Sequence, residues 1–215
     1  MRTVKALKGC DDRQGGYALV SLLALMSLLA LFALAVAPRV QQQTQREWEK
    51  EALFRGSQVG EAIRAYYRSR GAQGVNALPT SMDQLLEGVQ IPGRTKRLQI
   101  LRPSAARDPL SSDGEWRLIG PTSQDFRGFV QSLTLYADGV PPVPRQEFSG
   151  LASLIPRMSN VLDAESEGTS PGLSSTSSDA SGPFIGVASG SQRDSVISFF
   201  GIERHDEWIF TPMFR

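Results

Sequence analysis

The stretch YALVSLLALMSLLALFALAVA occupies residues 17–37 and holds 21 positions without a charged side chain. As an α-helix it would rise about 1.5 Å per residue, or roughly 31 Å, which matches a hydrocarbon core about 30 Å thick. A helix buried in a soluble core rarely lacks charge over such a length. The stretch therefore predicts a helix that crosses a membrane.

The flanks and the composition limit what else the chain can be. Residues 1–16, MRTVKALKGCDDRQGG, carry four basic and two acidic residues, which favours leaving this end in the cytoplasm. The whole chain has 215 residues, 40% of them hydrophobic and 21% charged, enough for an anchor and one folded domain. A net charge of +1 gives no argument for nucleic-acid binding. The single cysteine, Cys10, excludes an internal disulfide.

Two ways of processing this N-terminus fit the residues poorly. Residues 35–37, AVA, resemble the site of a secretory signal peptidase, but the apolar stretch exceeds the usual length of about 7–15 residues. A cut after Ala37 would also leave Pro38, which lacks an N–H, next to the scissile bond. Residues 7–10, LKGC, faintly resemble a lipid-attachment box, but no apolar segment precedes Cys10.

The third way fits best. Residues 15–21, GGYALVS, followed by the long apolar run, resemble the N-terminus of type IV pilins and type II secretion pseudopilins. In that family a membrane peptidase cuts after a glycine, which corresponds to Gly16, and methylates the new N-terminal residue, which corresponds to Tyr17. The resemblance implies a prepilin leader over residues 1–16 and a mature chain of 215 − 16 = 199 residues.

Two further positions bear on the resemblance. Pro38 is mature residue 22 (38 − 17 + 1), where pilin-like helices commonly carry a proline that kinks the helix. Its other interpretation is the end of a membrane helix. The family usually has a glutamate at the fifth mature position, where it pairs with the amine of a neighbouring subunit, and this chain has Ser21. Ser21 can bond only back to its own helix, so a minor or accessory subunit fits better than a major one.

The helix is expected to continue as an amphipathic segment over residues 38–70, which are rich in good helix formers, and to stop at Gly71. Gly56 and Gly60 would let another backbone approach closely, or are merely weak spots in the helix. Residues 51–56, EALFRG, and 62–67, AIRAYY, resemble segments of pseudopilins. An apolar stripe at helical spacing is expected to pack on the chain's own sheet, and consists of Trp48, Ala52, Val59, Ile63 and Tyr66.

The remaining residues, 71–215, are predicted to form a periplasmic globular region. Its strands are expected within residues 114–119, 128–136, 184–189 and 208–211, with a turn at Asp108 and a short helix capped by Ser81 and Gln84. Residues 164–182 are rich in serine and glycine and predict a flexible loop. Residues 121–160 match no pseudopilin pattern and are interpreted as an insertion. The predicted fold class is α+β, with a long hydrophobic spine helix packed on a small antiparallel sheet, as in pilins.

The residues offer little for catalysis or cofactor binding. His205, the one histidine, stands among charged residues and is interpreted as a solvated surface side chain. No phosphate-binding loop and no metalloprotease motif occurs in the sequence. The resemblance implies one weaker hypothesis: some pseudopilins bind calcium near the C-terminus, and here Asp206 and Glu207, joined by Asp113 or Glu203, would supply carboxylate ligands. We therefore expect no enzyme activity and no cofactor, with calcium as the exception to test.

The resemblance implies a subunit of a type II secretion or type IV pilus-type filament. It would be a single-pass protein of the bacterial inner membrane, with its C-terminal region in the periplasm, that later enters a filament. The implied partners are a prepilin peptidase, other pilin-like subunits and an inner-membrane assembly platform with a cytoplasmic ATPase. The alternative is a signal-anchored periplasmic binding or enzyme domain that does not polymerise. A third hypothesis is a secreted domain released after Ala37.

Overall fold

The computed structural model describes residues 15–90, 93, 96–154 and 182–214, and the side chains of residues 34–40 and of residue 154 lie outside that description. The chain divides into two compact units, Met1–Gln45 and Arg46–Arg215. Helices and small antiparallel sheets are both present, so the predicted α+β class is confirmed. The helices are α1 (Gly15–Ser69), α2 (Met82–Glu87) and α3 (Gln124–Tyr136), with 3₁₀ turns at Val75–Ala77, Gln146–Leu154 and His205–Glu207. The strands are β1 (Arg117–Ile119), β2 (Gly186–Ala188), β3 (Asp194–Phe199), β4 (Ile202–Arg204) and β5 (Ile209–Phe210).

α1 ends in a hydrogen-bonded turn built on a glycine. Gly71 has a φ angle of 85°, a left-handed conformation that glycine adopts at little cost. The N–H of Gly71 donates to the carbonyl of Arg68 at 3.1 Å, and the N–H of Ala72 donates to the carbonyl of Tyr67 at 3.0 Å. This pair of bonds is the Schellman motif, which satisfies the last carbonyl groups of a helix. The predicted stop at Gly71 is confirmed.

The C-terminal part of α1 supplies one side of the core of the second unit. Its apolar side chains recur at helical spacing, so they lie on one face and are removed from water together. Trp48 does not belong to this face, because its side chain is 52% exposed, and its place in the predicted stripe is wrong. The buried apolar positions are Ala52, Val59, Ala62, Ile63, Tyr66 and Tyr67.

A small sheet covers this face of α1. The strand order is β1–β2–β5 and both pairings are antiparallel, with Arg117 opposite Ala188 and Val187 opposite Phe210. All three residues of β2 are buried, as expected for the central strand of a covered sheet. The strands predicted within 114–119, 184–189 and 208–211 are therefore confirmed. The antiparallel β3–β4 hairpin was not predicted, because charged and polar residues interrupt its apolar pattern.

Residues 128–136 form a helix, and the predicted strand there is wrong. They belong to α3, whose N-cap Ser123 accepts a hydrogen bond from the N–H of Phe126 at 3.2 Å. The spacing of three and four between buried residues is helical and was available in the sequence. The buried side chains of α3 are Phe126, Phe129, Val130, Leu133 and Thr134.

Residues 121–154 contribute to the core, although they match no pseudopilin pattern. Phe148 is fully buried and stacks on Tyr67 with ring centroids 4.9 Å apart. Next to it, Glu147 accepts two hydrogen bonds from the Arg64 guanidinium, at 2.6 and 3.0 Å. These bonds hold the pKa of the Glu147 carboxyl below its ordinary value and keep it ionised. Residues 155–160 and the predicted loop at 164–182, apart from Gly182, lie outside the described residues.

The start of α2 and the turn at Asp108 make hydrogen bonds that the sequence did not predict. Gln84 does close a capping arrangement, but with Thr80: its Oε1 accepts from the Thr80 N–H at 3.1 Å, and Ser81 makes no side-chain cap bond. The Asp108 turn forms, and its carboxylate is 3% exposed. The Oδ2 of Asp108 accepts from Ser189 Oγ at 2.6 Å and from the Gly190 N–H at 3.1 Å. The turn is thereby tied to the end of β2.

Gly56 lets the last strand meet α1. A Cβ atom built on Gly56 would lie 2.3 Å from Phe210 Cγ, closer than any real side-chain contact. A Cβ built on Gly60 would lie 3.7 Å from the nearest atom, the backbone nitrogen of Pro212, which is an ordinary contact. The close approach at Gly56 is therefore made by the buried side-chain ring of Phe210 and not, as expected, by another backbone. A backbone does lie beside Gly60, that of Thr211 and Pro212, but only at ordinary contact distance.

Gly56→Ala should lower the free energy of unfolding by about 1–3 kcal/mol, because the added methyl group overpacks the core. Gly60→Ala is the matched control. It should raise the free energy of unfolding by about 0.5–1 kcal/mol, because alanine is the better helix former and the site has room. Urea unfolding of the full chain in detergent, followed by fluorescence of the buried Trp116 and Trp208, measures both. Equal effects of the two substitutions would contradict this account of the packing.

Candidate functional site

The N-terminal part of α1 is apolar on every side, and none of the residues that the structure describes buries it. Residues Gly16–Ala33 have a mean hydropathy of 2.2, and none of this window is buried. By length and composition the window is sufficient to cross a membrane. A core helix of a soluble protein would be mostly buried, whereas a signal sequence would pass the same test. The exposed large side chains between 17 and 32 are Tyr17, Leu19, Val20, Leu22, Leu23, Leu25, Met26, Leu28, Leu29, Leu31 and Phe32.

The two serines of this window are bonded to the helix itself. Ser21 Oγ donates to the carbonyl of Ala18 at 2.9 Å, and Ser27 Oγ donates to the carbonyl of Leu23 at 2.8 Å. Hydroxyl groups that are satisfied in this way enter lipid at low cost, because no donor is left without a partner. The expectation that Ser21 bonds back to its helix is confirmed. Ser21 carries no charge that could attract another chain.

The residues at the predicted cleavage site are open. Among the described residues, a Cβ atom built on Gly16 would meet no atom within 4 Å apart from the backbone of its own helix, and Tyr17 is 81% exposed. The fold therefore does not itself require glycine at position 16. Residues 1–14 of the predicted leader lie outside the described residues. α1 runs through Pro38, so this proline does not end the helix. The kink predicted at Pro38 stays a prediction, because the side chains of residues 34–40 lie outside the description.

A polar cluster of the buried Glu49 and His205 and the half-buried Ser191 joins the second unit's part of α1 to β3 and to the turn after β4. Glu49 is fully buried. Its Oε1 accepts from the Val196 N–H and its Oε2 from the Ile197 N–H, both at 2.8 Å. Successive N–H groups of a regular strand point in opposite directions, but the β3–β4 pairing is irregular here, which turns both toward the carboxyl group. Glu49 therefore fastens α1 to the β3 backbone.

His205 belongs to the same cluster, and its interpretation as a solvated residue is wrong. The side chain is buried, and Nε2 lies 3.0 Å from Glu49 Oε1. The ring also meets Trp208 edge-on, with centroids 5.1 Å apart. Its charged sequence neighbours suggested solvent, but the partner that buries it lies 156 positions away, so local composition could not reveal it. The sequence did hold a signal of this contact, because Glu49 is a charged residue at a position that continues the apolar face of α1.

Ser191 contacts His205, and His205 contacts Glu49. This chain of serine, histidine and carboxylate side chains resembles the catalytic triad of serine hydrolases. Ser191 Oγ lies 3.4 Å from His205 Nδ1, at the outer limit of a hydrogen bond. The imidazole is 1% exposed, so it is closed to solvent, and both carboxyl oxygens of Glu49 already hold backbone N–H groups. Each of these contacts holds the fold together, and we assign the cluster a structural role.

The acidic residues considered for calcium are spread or paired. Asp206 is bonded to the Arg204 guanidinium at 3.1 and 2.8 Å. The Asp113 carboxylate accepts from Ser111 Oγ, which lowers the pKa of Asp113. Within residues 15–90, 93, 96–154 and 182–214, no three histidine, cysteine, aspartate or glutamate side chains are grouped so that they could hold a metal ion.

No protein-family model, curated protein or solved structure matches this chain. The described residues define the structural class alone: an α+β protein with an N-terminal helix that is long and apolar enough to span a membrane.

Glu49→Gln should lower the free energy of unfolding by about 2–4 kcal/mol, since the amide NH₂ faces a backbone N–H and leaves buried donors without an acceptor. Glu51→Gln is the matched control two residues away. Glu51 is half-exposed and pairs with Arg55 at 2.7 Å, an interaction worth less than about 1 kcal/mol. Both values come from urea unfolding of the full chain in detergent. Similar losses in the two variants would show that Glu49 does not fasten β3.

Proposed function

We propose that this chain is a pilin-like subunit of a type II secretion or type IV pilus-type filament, in a minor or accessory position. The observation that carries the proposal is the apolar helical window of residues 16–33, which begins at a glycine and is not buried by any described part of the chain. Such a helix needs lipid or other helices around it. A filament subunit uses both in turn, first as a membrane anchor and later as one helix of a bundle.

The proposed cycle begins with the precursor in the inner membrane and its C-terminal region in the periplasm. A prepilin peptidase cuts after Gly16 and methylates Tyr17. The exposed Tyr17, and the space that the described residues leave for a side chain at Gly16, support access of a peptidase to this end of α1. An assembly platform with a cytoplasmic ATPase then moves the helix from lipid into a bundle with other pilin-like subunits.

The physics of that transfer differs from folding in water. Lipid tails are as apolar as leucine side chains, so leaving lipid brings no hydrophobic gain. Helix packing must supply the free energy, and Ser21 adds no ionic attraction. The hydroxyls of Ser21 and Ser27 are satisfied within the helix, so neither resists the move from lipid to bundle. The absence of the usual glutamate supports the accessory position.

The strongest alternative is a signal-anchored periplasmic domain that binds or transforms a ligand and never polymerises. The same apolar helix would serve it as an anchor. The two hypotheses differ at the N-terminus of the mature protein. It is methylated Tyr17 for the filament subunit, Met1 for the anchored domain and Pro38 for a secreted domain.

Expressed with a prepilin peptidase, the wild-type chain should lose residues 1–16 and gain a methyl group on Tyr17. Gly16→Trp should remain uncut, because the indole cannot enter a site that accepts glycine. The substitution does not disturb the fold, since a Cβ atom at this position has no other atom within 4 Å. Intact mass and N-terminal sequencing of the purified protein measure the outcome.

The matched control is Gly128→Trp, a bulky change at an exposed helical glycine where an added Cβ would likewise have no atom within 4 Å. It should be cut like the wild type. A wild-type chain that keeps Met1 beside an active peptidase, or normal cutting of Gly16→Trp, would end the proposal.

A further inference from the structure

An exposed aromatic surface lies where α3 ends beside the β3–β4 turn. Leu135 is 66% exposed, Tyr136 64% and Phe200 41%. The Tyr136 and Phe200 rings meet edge-on, with centroids 6.0 Å apart. Together with Glu203 and Glu207 they line an open concavity of about 590 Å³. We call these five residues the aromatic–acidic face.

Phe200 is displayed at a conformational cost. Its φ is 53° and that of Gly201 is 78°, so both residues of the turn between β3 and β4 are left-handed. Two-residue turns of this kind favour Asn-Gly, because a bulky side chain at the first position is strained. A backbone outlier of this kind is a reason to look for function at the residue that it presents to solvent.

The charge of the concavity indicates what it would bind. Its lining holds three acidic residues, Asp194, Glu203 and Glu207, and one basic residue, Arg204. The Arg204 guanidinium is already bonded to the Asp206 carboxylate. The face is therefore negative with an aromatic centre, and it would complement a surface that combines basic and aliphatic side chains.

The same unit offers such a surface. Lys96, Arg97, Leu98 and Arg102 are all exposed, and we call them the basic–aliphatic face. Leu98, 49% exposed, is held by two backbone bonds to Val89, at 2.9 and 2.8 Å. The two faces share no residue.

A glycine brings the basic–aliphatic face close to the end of α2. A Cβ atom on Gly88 would lie 2.2 Å from the Leu98 carbonyl oxygen, and Gly88 has a φ of 79°. Glu87 pairs with Arg97 at 2.8 Å, which fixes that side chain beside Leu98. Lys96 and Arg102 add two positive charges, and Glu61, which lines the same concavity as Arg102, removes one, so the face keeps a net positive charge after this pairing.

We propose that the aromatic–acidic face of one copy docks on the basic–aliphatic face of a second copy of this chain. The contact joins two different surfaces, so it is heterologous and orders two accessory copies head to tail instead of closing into a symmetric dimer. Charge complementarity selects the second copy as the occupant. The inference rests on the proposed function, since membrane-anchored helices raise the local concentration of copies.

Cysteine cross-linking of the full chain in membranes tests the contact, with Cys10 replaced by serine. One copy carries Ser132→Cys, in the concavity, and a differently tagged copy carries Gln99→Cys, beside Leu98. A short bismaleimide should give a mixed dimer and little product from either copy alone. Equal cross-linking of Ser132→Cys with itself, or with an exposed Ser57→Cys control, would overturn the proposal, as would the absence of the mixed dimer.

A second variant separates docking from folding. Phe200→Asn gives the turn its favoured residue, so the thermal midpoint should stay equal or rise. The yield of the mixed dimer should fall about tenfold, as for loss of a central anchor residue. Phe54→Asn, a change at an exposed phenylalanine on α1, is the matched control and should leave the yield unchanged. Wild-type cross-linking by Phe200→Asn would overturn the assignment of this face.

The same samples distinguish the two proposals. Cutting after Gly16 without a mixed dimer would overturn the docking contact and leave the filament subunit in place. A chain that keeps residues 1–16 beside an active peptidase would overturn the filament subunit, and with it the basis of the contact.

Discussion

The buried ring of Phe210 packs against the bare backbone of Gly56, and the second unit is organised around this contact. It sets the distance between α1 and β5, and β5 pairs with β2, which pairs with β1. Interiors are packed as densely as organic crystals, so a single added methyl group at the closest point is felt across the layer. The carboxyl group of Glu49 adds a second fixed point, because it holds the β3 backbone to the same helix.

α1 contributes to both units and is patterned differently in each. In residues 16–33 it is apolar all round, with its serine hydroxyls turned back on its own carbonyl groups. In the second unit it has one apolar face, which its own chain covers. The first pattern suits surroundings in which every direction is apolar, and the second suits a helix that lies between a core and water. A pilin-like subunit requires this combination, which is why the two patterns on one helix support the proposed function.

Local rules predict the elements that depend on few residues. The end of α1 follows from Gly71, because a left-handed C′ residue closes a helix through bonds to its own last turn. Three strands follow from short apolar runs. Phe129 and Val130 favour sheets and so predict a strand, although the spacing of the buried side chains of α3 is helical. Trp48 was predicted in the core because it is apolar. The buried position is that of Glu49 instead, because two backbone N–H groups of β3 need a hydrogen-bond acceptor there.

The sequence by itself determined the uninterrupted apolar segment and the end of α1, since each depends on neighbours along the chain. Only the tertiary structure decided that His205 is buried, that Gly56 admits a ring and that Tyr136 meets Phe200. These contacts join residues from separate elements, and hydrogen bonding and close packing act on distance in space. The charged sequence neighbours of His205 therefore led to the wrong prediction of its exposure. The carboxyl group that contacts its ring belongs to Glu49, 156 positions away on α1.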